Sequence, residues 1–202
     1  MRKPLSRTIV WLNGAFGVGK TQTAFELHSR IPGSFVFDPE QIGFALRKVV
    51  PPSMHRDFQD YPVWREFTYQ SLRYVAENFA GEIIVPMTVV NPLYYDQTVG
   101  MLRKEGFPVH HFTLLASRNT VLRRLRRRGD GSNSWGAAQL DRCIKSLSDE
   151  RFSVHLNTQG KAIEAVAEEI ANYVGLDLKP PTWHPILRPL KRIIVQVGHI
   201  RF

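Results

Sequence analysis

Five short apolar runs, each followed by a stretch with helical spacing, organise this 202-residue chain. Thr8-Ile9-Val10-Trp11-Leu12 is β-branched and free of charge, which suits a strand buried on both faces. Gln22 to Arg30 lacks Gly and Pro, and Ala24, Leu27, His28 and Ile31 recur at helical spacing. Pro32-Gly33-Ser34 breaks the chain before a second strand, Phe35-Val36-Phe37, and a helix over Ile42–Val49 that stops at Pro51-Pro52. A polar stretch from Ser53 to Pro62 precedes a long helix over Val63–Phe79, ended by Gly81. The run from Glu82 to Val90 is the third strand, Tyr94 to Lys104 the next helix, and Val109 to Leu115 the fourth strand. Helices over Asn119–Arg128 and Ala138–Leu147 flank a Gly- and Ser-rich loop, Gly129–Gly136. Val154–Leu156 is a weaker fifth strand, followed by an amphipathic helix over Ala162–Tyr173.

Strands alternating with helices predict an α/β fold: a five-stranded parallel sheet with helices on both faces. Ligands in such sheets sit beyond the carboxyl ends of the strands, so Gly14, Asp38, Thr88 and Ala116 share one rim. Lys179-Pro180-Pro181 closes the domain. The expected division is a nucleotide-binding unit over 1–178 and a basic C-terminal appendage over 179–202.

Composition narrows the setting. A single cysteine, Cys143, excludes an internal disulfide and fits a reducing cytoplasm. The apolar run at 9–12 is too short for a secretory signal, and no run approaches a membrane span of about 20 residues. The net charge of +9 is gathered into an arginine cluster at 118–128 and an acid-free end from Lys179 onward. That clustering points to two local tasks, so no nucleic acid partner is expected.

The chemistry is concentrated between the first strand and the first helix. Gly14-Ala15-Phe16-Gly17-Val18-Gly19-Lys20-Thr21 matches G-x-x-x-x-G-K-[ST], a phosphate cradle of inward-turned backbone N–H groups. Lys20 is expected on the β- and γ-phosphates and the Thr21 hydroxyl on Mg²⁺. ATP and Mg²⁺ are the ligands this pattern implies.

Phosphoryl transfer also needs an acceptor side and a ring of cations. Asp38 and Glu40 follow the second strand on the phosphate rim. Asp38 is the expected base and a second metal ligand, Glu40 a substrate contact; the competing reading makes Asp38-Pro39-Glu40 a helix cap. Arg47 lies farther along the next helix, suited to a polar or anionic substrate group. Tyr61 and Trp64, in a loop of aromatics and carboxylates, are expected to stack a substrate ring, and Thr88 to line its site. From the cluster Arg123-Arg124-Leu125-Arg126-Arg127-Arg128, Arg124 and Arg128 are expected on nucleotide and Arg127 on the transferring group. The following glycines and serines make that segment a candidate lid.

With these residues assembled, the chain resembles the small P-loop kinases and, more closely, the bacterial tunicamycin-resistance ATP-binding proteins. The likeness rests on Trp11–His28, Asp38-Pro39-Glu40, Gly43–Arg47, Ile84–Thr88, His111–Leu114, Asn133-Ser134-Trp135 and Asp141-Arg142-Cys143. It implies a kinase-like fold, ATP binding and protection against tunicamycin, a lipid-tailed nucleoside antibiotic. It leaves open whether the antibiotic is phosphorylated on a hydroxyl or sequestered without chemistry, and a housekeeping nucleotide or sugar kinase is a third reading. One departure stands out: Ile83-Ile84-Val85-Pro86-Met87 carries no Asp where a Walker B strand would, which shifts metal binding to Thr21 and Asp38.

The tail adds a separate expectation. From Pro189, Leu190, Ile193, Val197 and Ile200 recur at helical spacing opposite Lys191, Arg192 and His199. Such a basic amphipathic helix over 189–202 suits an anionic membrane surface and a peripheral place at the inner face of the membrane. Its β-branched residues and Gly198 keep a strand, or a helix packed on the domain, as alternatives.

Overall fold

The computed structural model describes residues 8–130, 134–181 and position 195. Five parallel strands form one sheet: β1 (Ile9–Gly14), β2 (Phe35–Val36), β3 (Ile83–Pro86), β4 (Val109–Leu115) and β5 (His155–Asn157), in the order β2-β3-β1-β4-β5. β1 occupies the centre, with Ile9 opposite Ile83 on one side and Val109 on the other. Every residue of β1 and β3 is buried, so helices cover both faces and the strands read as unbroken apolar runs. Trp11, Phe112, Phe152 and Trp64 are the bulkiest side chains withdrawn from solvent.

The helices are α1 (Lys20–Arg30), α2 (Pro39–Val49), α3 (Pro62–Asn78), α4 (Pro92–Tyr95), α5 (Met101–Lys104), α6 (Arg118–Arg127), α7 (Trp135–Ala138), α8 (Leu140–Leu147) and α9 (Ile163–Val174). The expected helix over 94–104 starts earlier, capped by Asn91, and a π turn at Asp96–Gly100 joins α4 to α5. The single helix expected at 138–147 is divided into α7 and α8, with the Ser134 hydroxyl capping the first. The polar stretch before α3 contains two 3₁₀ turns, Pro52–Met54 and Phe58–Asp60.

The third strand is shorter than the apolar run of 82–90 suggests: Pro86 has no N–H to offer on the β2 side, and the ladder to β1 closes with the Met87 N–H on the Leu12 carbonyl. The Asn13 side chain takes over its work. Its amide donates to the Val89 carbonyl at 2.8 Å and its oxygen accepts the Val89 N–H at 2.9 Å. This side-chain clasp keeps residues 87–89 alongside the end of β1 and holds Thr88 on the rim.

Lys179 ties the end of the domain to α1. Its N–H donates to the Arg30 carbonyl at 2.9 Å, and its own carbonyl accepts from Arg30 Nε at 2.7 Å. The helix expected over 189–202 and its membrane surface lie outside the described residues, Val195 apart. Among the described residues, no helix is long and apolar enough to cross a membrane.

Candidate functional site

The loop between β1 and α1 is shaped by what surrounds its glycines. Gly14 has φ +142°, and a Cβ there would stand 2.7 Å from the Leu114 carbonyl oxygen. At Gly17, φ is +81° and a Cβ would stand 2.7 Å from Leu125 Cδ2, so the loop presses against α6. Side chains at either position would push the loop off its supports. Gly19 fills the N-cap of α1 in a left-handed conformation, and no side chain caps the helix. The first-turn N–H groups are therefore left for an anion at the helix end, which suits a nucleotide's phosphates. The partly buried Thr21 belongs to the same turn. Its hydroxyl is a hard oxygen donor of the kind that Mg²⁺ takes. No cluster of three His, Cys, Asp or Glu side chains suited to a metal occurs among the described residues.

Lys20 is drawn into the loop. Nζ donates to the carbonyls of Gly14 at 2.9 Å and Ala15 at 3.2 Å, and lies 5.3 Å from the centre of the Phe16 ring. Burial pulls its pKa down to about 8, against the nearby charge of Glu40, which holds it up. Arg128 is also near enough to depress it. The loop carbonyls have further anchors. Thr88 Oγ1 donates to the Gly14 carbonyl at 2.8 Å, and Arg124 Nη1 to the Val18 carbonyl at 2.7 Å. Arg124 Nη2 also reaches the Thr158 carbonyl at 2.8 Å, so one guanidinium ties the loop to the turn after β5.

Beside the loop opens a cavity of about 490 Å³. Four rings face it: Phe16 from the loop, Phe44 from α2, Phe58 from the second 3₁₀ turn and Trp135 from α7. Phe16 and Trp135 meet edge to face with centroids 4.8 Å apart. The charged lining is Glu40 and Arg47 on α2, with Arg56 and Asp57 before the 3₁₀ turn. Asp57 Oδ1 accepts the Gln59 N–H at 3.1 Å, while Oδ2 stands 3.9 Å from Arg142 Nη2 on α8. Burial pushes the Asp57 carboxyl above its ordinary pKa, only partly offset by Arg142 and Arg47. The lining combines apolar faces for a ring with charges of both signs for its polar edges.

Several expectations are redirected by this geometry. Glu40 and Arg47, both on α2, line the cavity. Asp38 does not: Oδ1 accepts the Glu40 N–H at 3.0 Å and Oδ2 the Gln41 amide at 3.3 Å. The competing reading of a helix cap therefore describes it, and it lines a separate groove with Phe25 and Phe35. Both oxygens turn onto α2, so Asp38 serves as a helix cap beside a separate groove and is absent from the lining of the chamber at the P-loop. Tyr61 and Trp64 are corrected from ring-stacking contacts to core residues. Trp64 is fully buried and its Nε1 donates to the Pro39 carbonyl; the Tyr61 hydroxyl donates to the Met54 carbonyl. Trp64 acts from behind, supporting Phe58 at 5.3 Å between centroids. Thr88 is likewise buried and serves the loop rather than a substrate wall. Arg124 braces the loop's outer side, Arg127 is exposed, and Arg128 pairs with Asp130. Gly131 to Asn133 of the candidate lid lie outside the described residues.

Phe44, Arg56, Asp57, Phe58, Met87 and Trp135 form the cavity without having been singled out for it. Two glycines carried a faint signal. A Cβ at Gly43 would fall 2.5 Å from the Phe58 ring, and one at Gly136 3.0 Å from Phe16 Cβ. Gly43 interrupts an otherwise good helix because a ring must lie against its backbone.

The model of the family described as AAA domain matches residues 9–149. A solved structure of the Deinococcus radiodurans tunicamycin resistance protein is 42% identical, spans 87% of this chain and 99% of its own, and superposes with a TM-score of 0.75. The chain belongs to the bacterial tunicamycin resistance proteins, on a P-loop domain of the AAA family. The sheet is shared more widely. A sugar kinase from Janibacter is 16% identical over 84% of this chain and 95% of its own, with a TM-score of 0.60. A gluconokinase from Sinorhizobium meliloti is 14% identical over 86% and 94%, with a TM-score of 0.59. These two are likenesses of fold. No curated protein matches the chain. The family's P-loop is here the braced segment Gly14–Thr21, which makes nucleotide binding the common ground.

Proposed function

We propose that this protein is an ATP- and Mg²⁺-dependent phosphotransferase acting on a hydroxyl of a small nucleoside-like molecule, with tunicamycin as the first candidate. The observation that carries this reading is the cavity beside the P-loop, which shares Phe16 with it and joins ring faces to charged edges. A binding loop that served only as a switch would not need such a chamber against its phosphate end.

In this reading the loop N–H groups and Lys20 hold the phosphates, with Lys20 turning from the Gly14 and Ala15 carbonyls toward them. The Thr21 hydroxyl would hold Mg²⁺, which would supply charge neutralisation at the phosphates. Glu40 sits between the two halves, close enough for its charge to support the Lys20 ammonium while its carboxylate faces the cavity. Phe44, Phe58 and Trp135 orient the acceptor's ring, and Arg47 and Arg56 meet its polar groups. Arg128 approaches Lys20 from the end of α6 and adds positive charge near the transferring group. Little covalent chemistry is asked of the protein; positioning and electrostatics carry the rate.

Mass spectrometry of tunicamycin after incubation with the protein, ATP and Mg²⁺ tests the reading. A product heavier by one phosphoryl group, with matching ADP release, is expected. Resistance that follows bound, unmodified drug would instead favour sequestration, the reading to which the capped Asp38 lends weight.

A further inference from the structure

The cavity has a carboxylate better placed for proton transfer than the one at the end of β2. Asp57 lines the chamber that reaches Phe16 of the P-loop, while Asp38 lines another groove. The two differ in how their oxygens are used. Asp38 places one oxygen on a backbone N–H and the other on a side-chain amide. Asp57 commits only Oδ1 to the Gln59 N–H; Oδ2 has the Arg142 guanidinium at 3.9 Å, beyond hydrogen-bond range. Asp57 shares the chamber with Glu40, whose charge reaches the phosphate-binding Lys20. Its side chain is 19% exposed, enough to meet a bound hydroxyl and little enough to stay desolvated.

We infer that Asp57 is the base that accepts the proton of the acceptor hydroxyl, an assignment that rests on the phosphotransferase reading. The hydroxyl oxygen forms a bond to the γ-phosphorus of the nucleoside triphosphate. The bond from that phosphorus to the β-bridging oxygen breaks, and its electron pair leaves with the nucleoside diphosphate. The hydroxyl proton moves to Oδ2 and is then released to solvent. A carboxylate whose pKa is raised by burial is a stronger proton acceptor than an ordinary one. The charged groups around it are Asp60, which raises it further, and Arg142 and Arg47, which oppose; Arg56 and Glu40 line the same cavity, and the buried Cys143 is within electrostatic reach.

The test compares Asp57→Asn with Asp38→Asn, using tunicamycin, ATP and Mg²⁺. Both variants keep an oxygen for their backbone cap. Asp57→Asn is expected to lower kcat by at least ~10²-fold, with tunicamycin affinity within a few-fold, as read by quenching of tryptophan fluorescence. Its pH–rate profile loses the fall toward acid pH that the wild type shows, whereas Asp38→Asn keeps both rate and profile. Should Asp57→Asn fail to fold, Asp57→Glu decides: it retains a carboxylate and is expected to transfer slowly with the acid limb present. Transfer by Asp57→Asn at the wild-type rate, or an Asp57→Glu enzyme without an acid limb, overturns the assignment alone. No product from the wild type removes the phosphotransferase reading and the assignment with it.

Discussion

The two ends of the site are built in opposite ways. The nucleotide end is one continuous segment, Gly14–Thr21, whose contacts are mostly its own backbone: carbonyls anchored by Lys20, Thr88 and Arg124, and glycines pressed against Leu114 and Leu125. The cavity end, proposed for the acceptor, is assembled from side chains on five separate stretches, Phe16, Glu40–Arg47, Arg56–Gln59, Met87 and Trp135. A backbone cradle must meet exact angles, so it tolerates almost no change in residue type. A wall of side chains needs only suitable volume and charge, so many sequences can supply it. The phosphate end thus depends on backbone angles, and the cavity end on side-chain volume and charge.

The sharpest break of this comparison uses two tryptophans that look alike in the sequence. Trp64 is buried behind the acceptor wall, while Trp135 is 54% exposed on its surface. Trp64→Ala should cost about 3–5 kcal/mol in stability, the usual loss for a buried large ring. Trp135→Ala should leave the melting temperature near wild type and raise the KM for the acceptor. Equal melting temperatures for the two variants would return Trp64 to the substrate wall. Next in size is Lys20→Ala at the nucleotide end. Removing this cation should lower transfer by ~10²–10³-fold. The fold should survive, because a buried charge is lost with it; a collapse in urea midpoint would make Lys20 structural instead.

A smaller effect distinguishes backbone shape from open space. Gly17→Ala meets Leu125 at φ +81° and should destabilise by about 1–3 kcal/mol, while weakening ATP binding in calorimetry. Gly33→Ala, at φ +70° with nothing within 4 Å, isolates the conformational part. If the two lose equal stability and ATP affinity is unchanged in both, the packing of the loop on α6 does not shape the cradle.

The same contrast explains what could be read from the chain. The parallel sheet was legible because β1 and β3 are apolar runs of a kind that double-sided burial explains, and the P-loop because its geometry is local to eight residues. Tyr61 and Trp64 misled because an aromatic residue in a polar loop suits both a binding face and a plug for the core; their burial and their bonds to the carbonyls of Met54 and Pro39 decide between them. Asp38 had two chemically sound readings, and the orientation of Gln41 and the Glu40 N–H separates them. Asp57 and Phe58 were visible only as composition, since their place on the cavity depends on Gly43 letting α2 approach. Asn13 shows the same limit: nothing local announces a side chain that substitutes for a strand partner.

The smallest expected effect is a pH linkage that sets the two ends against the fold. Lys20 carries a pKa of about 8 in the folded protein against 10.5 for an ordinary lysine. Between those values the unfolded chain binds more protons than the folded one, so stability should rise with pH across that window, as the cost of a buried charge is relieved. Nucleotide affinity should move the other way. Phosphates favour the ammonium form, so above pH 8 binding must first return a proton to Lys20 and should weaken by up to about tenfold per pH unit. Calorimetry at pH 9 in buffers of different ionisation enthalpy should register proton uptake on ATP binding, and Lys20→Ala should abolish it. Opposite slopes for stability and affinity would show that the lysine is held back by the loop carbonyls until phosphate claims it. Parallel slopes would mean that its charge is already stabilised within the loop, and that the cradle is set before the nucleotide arrives.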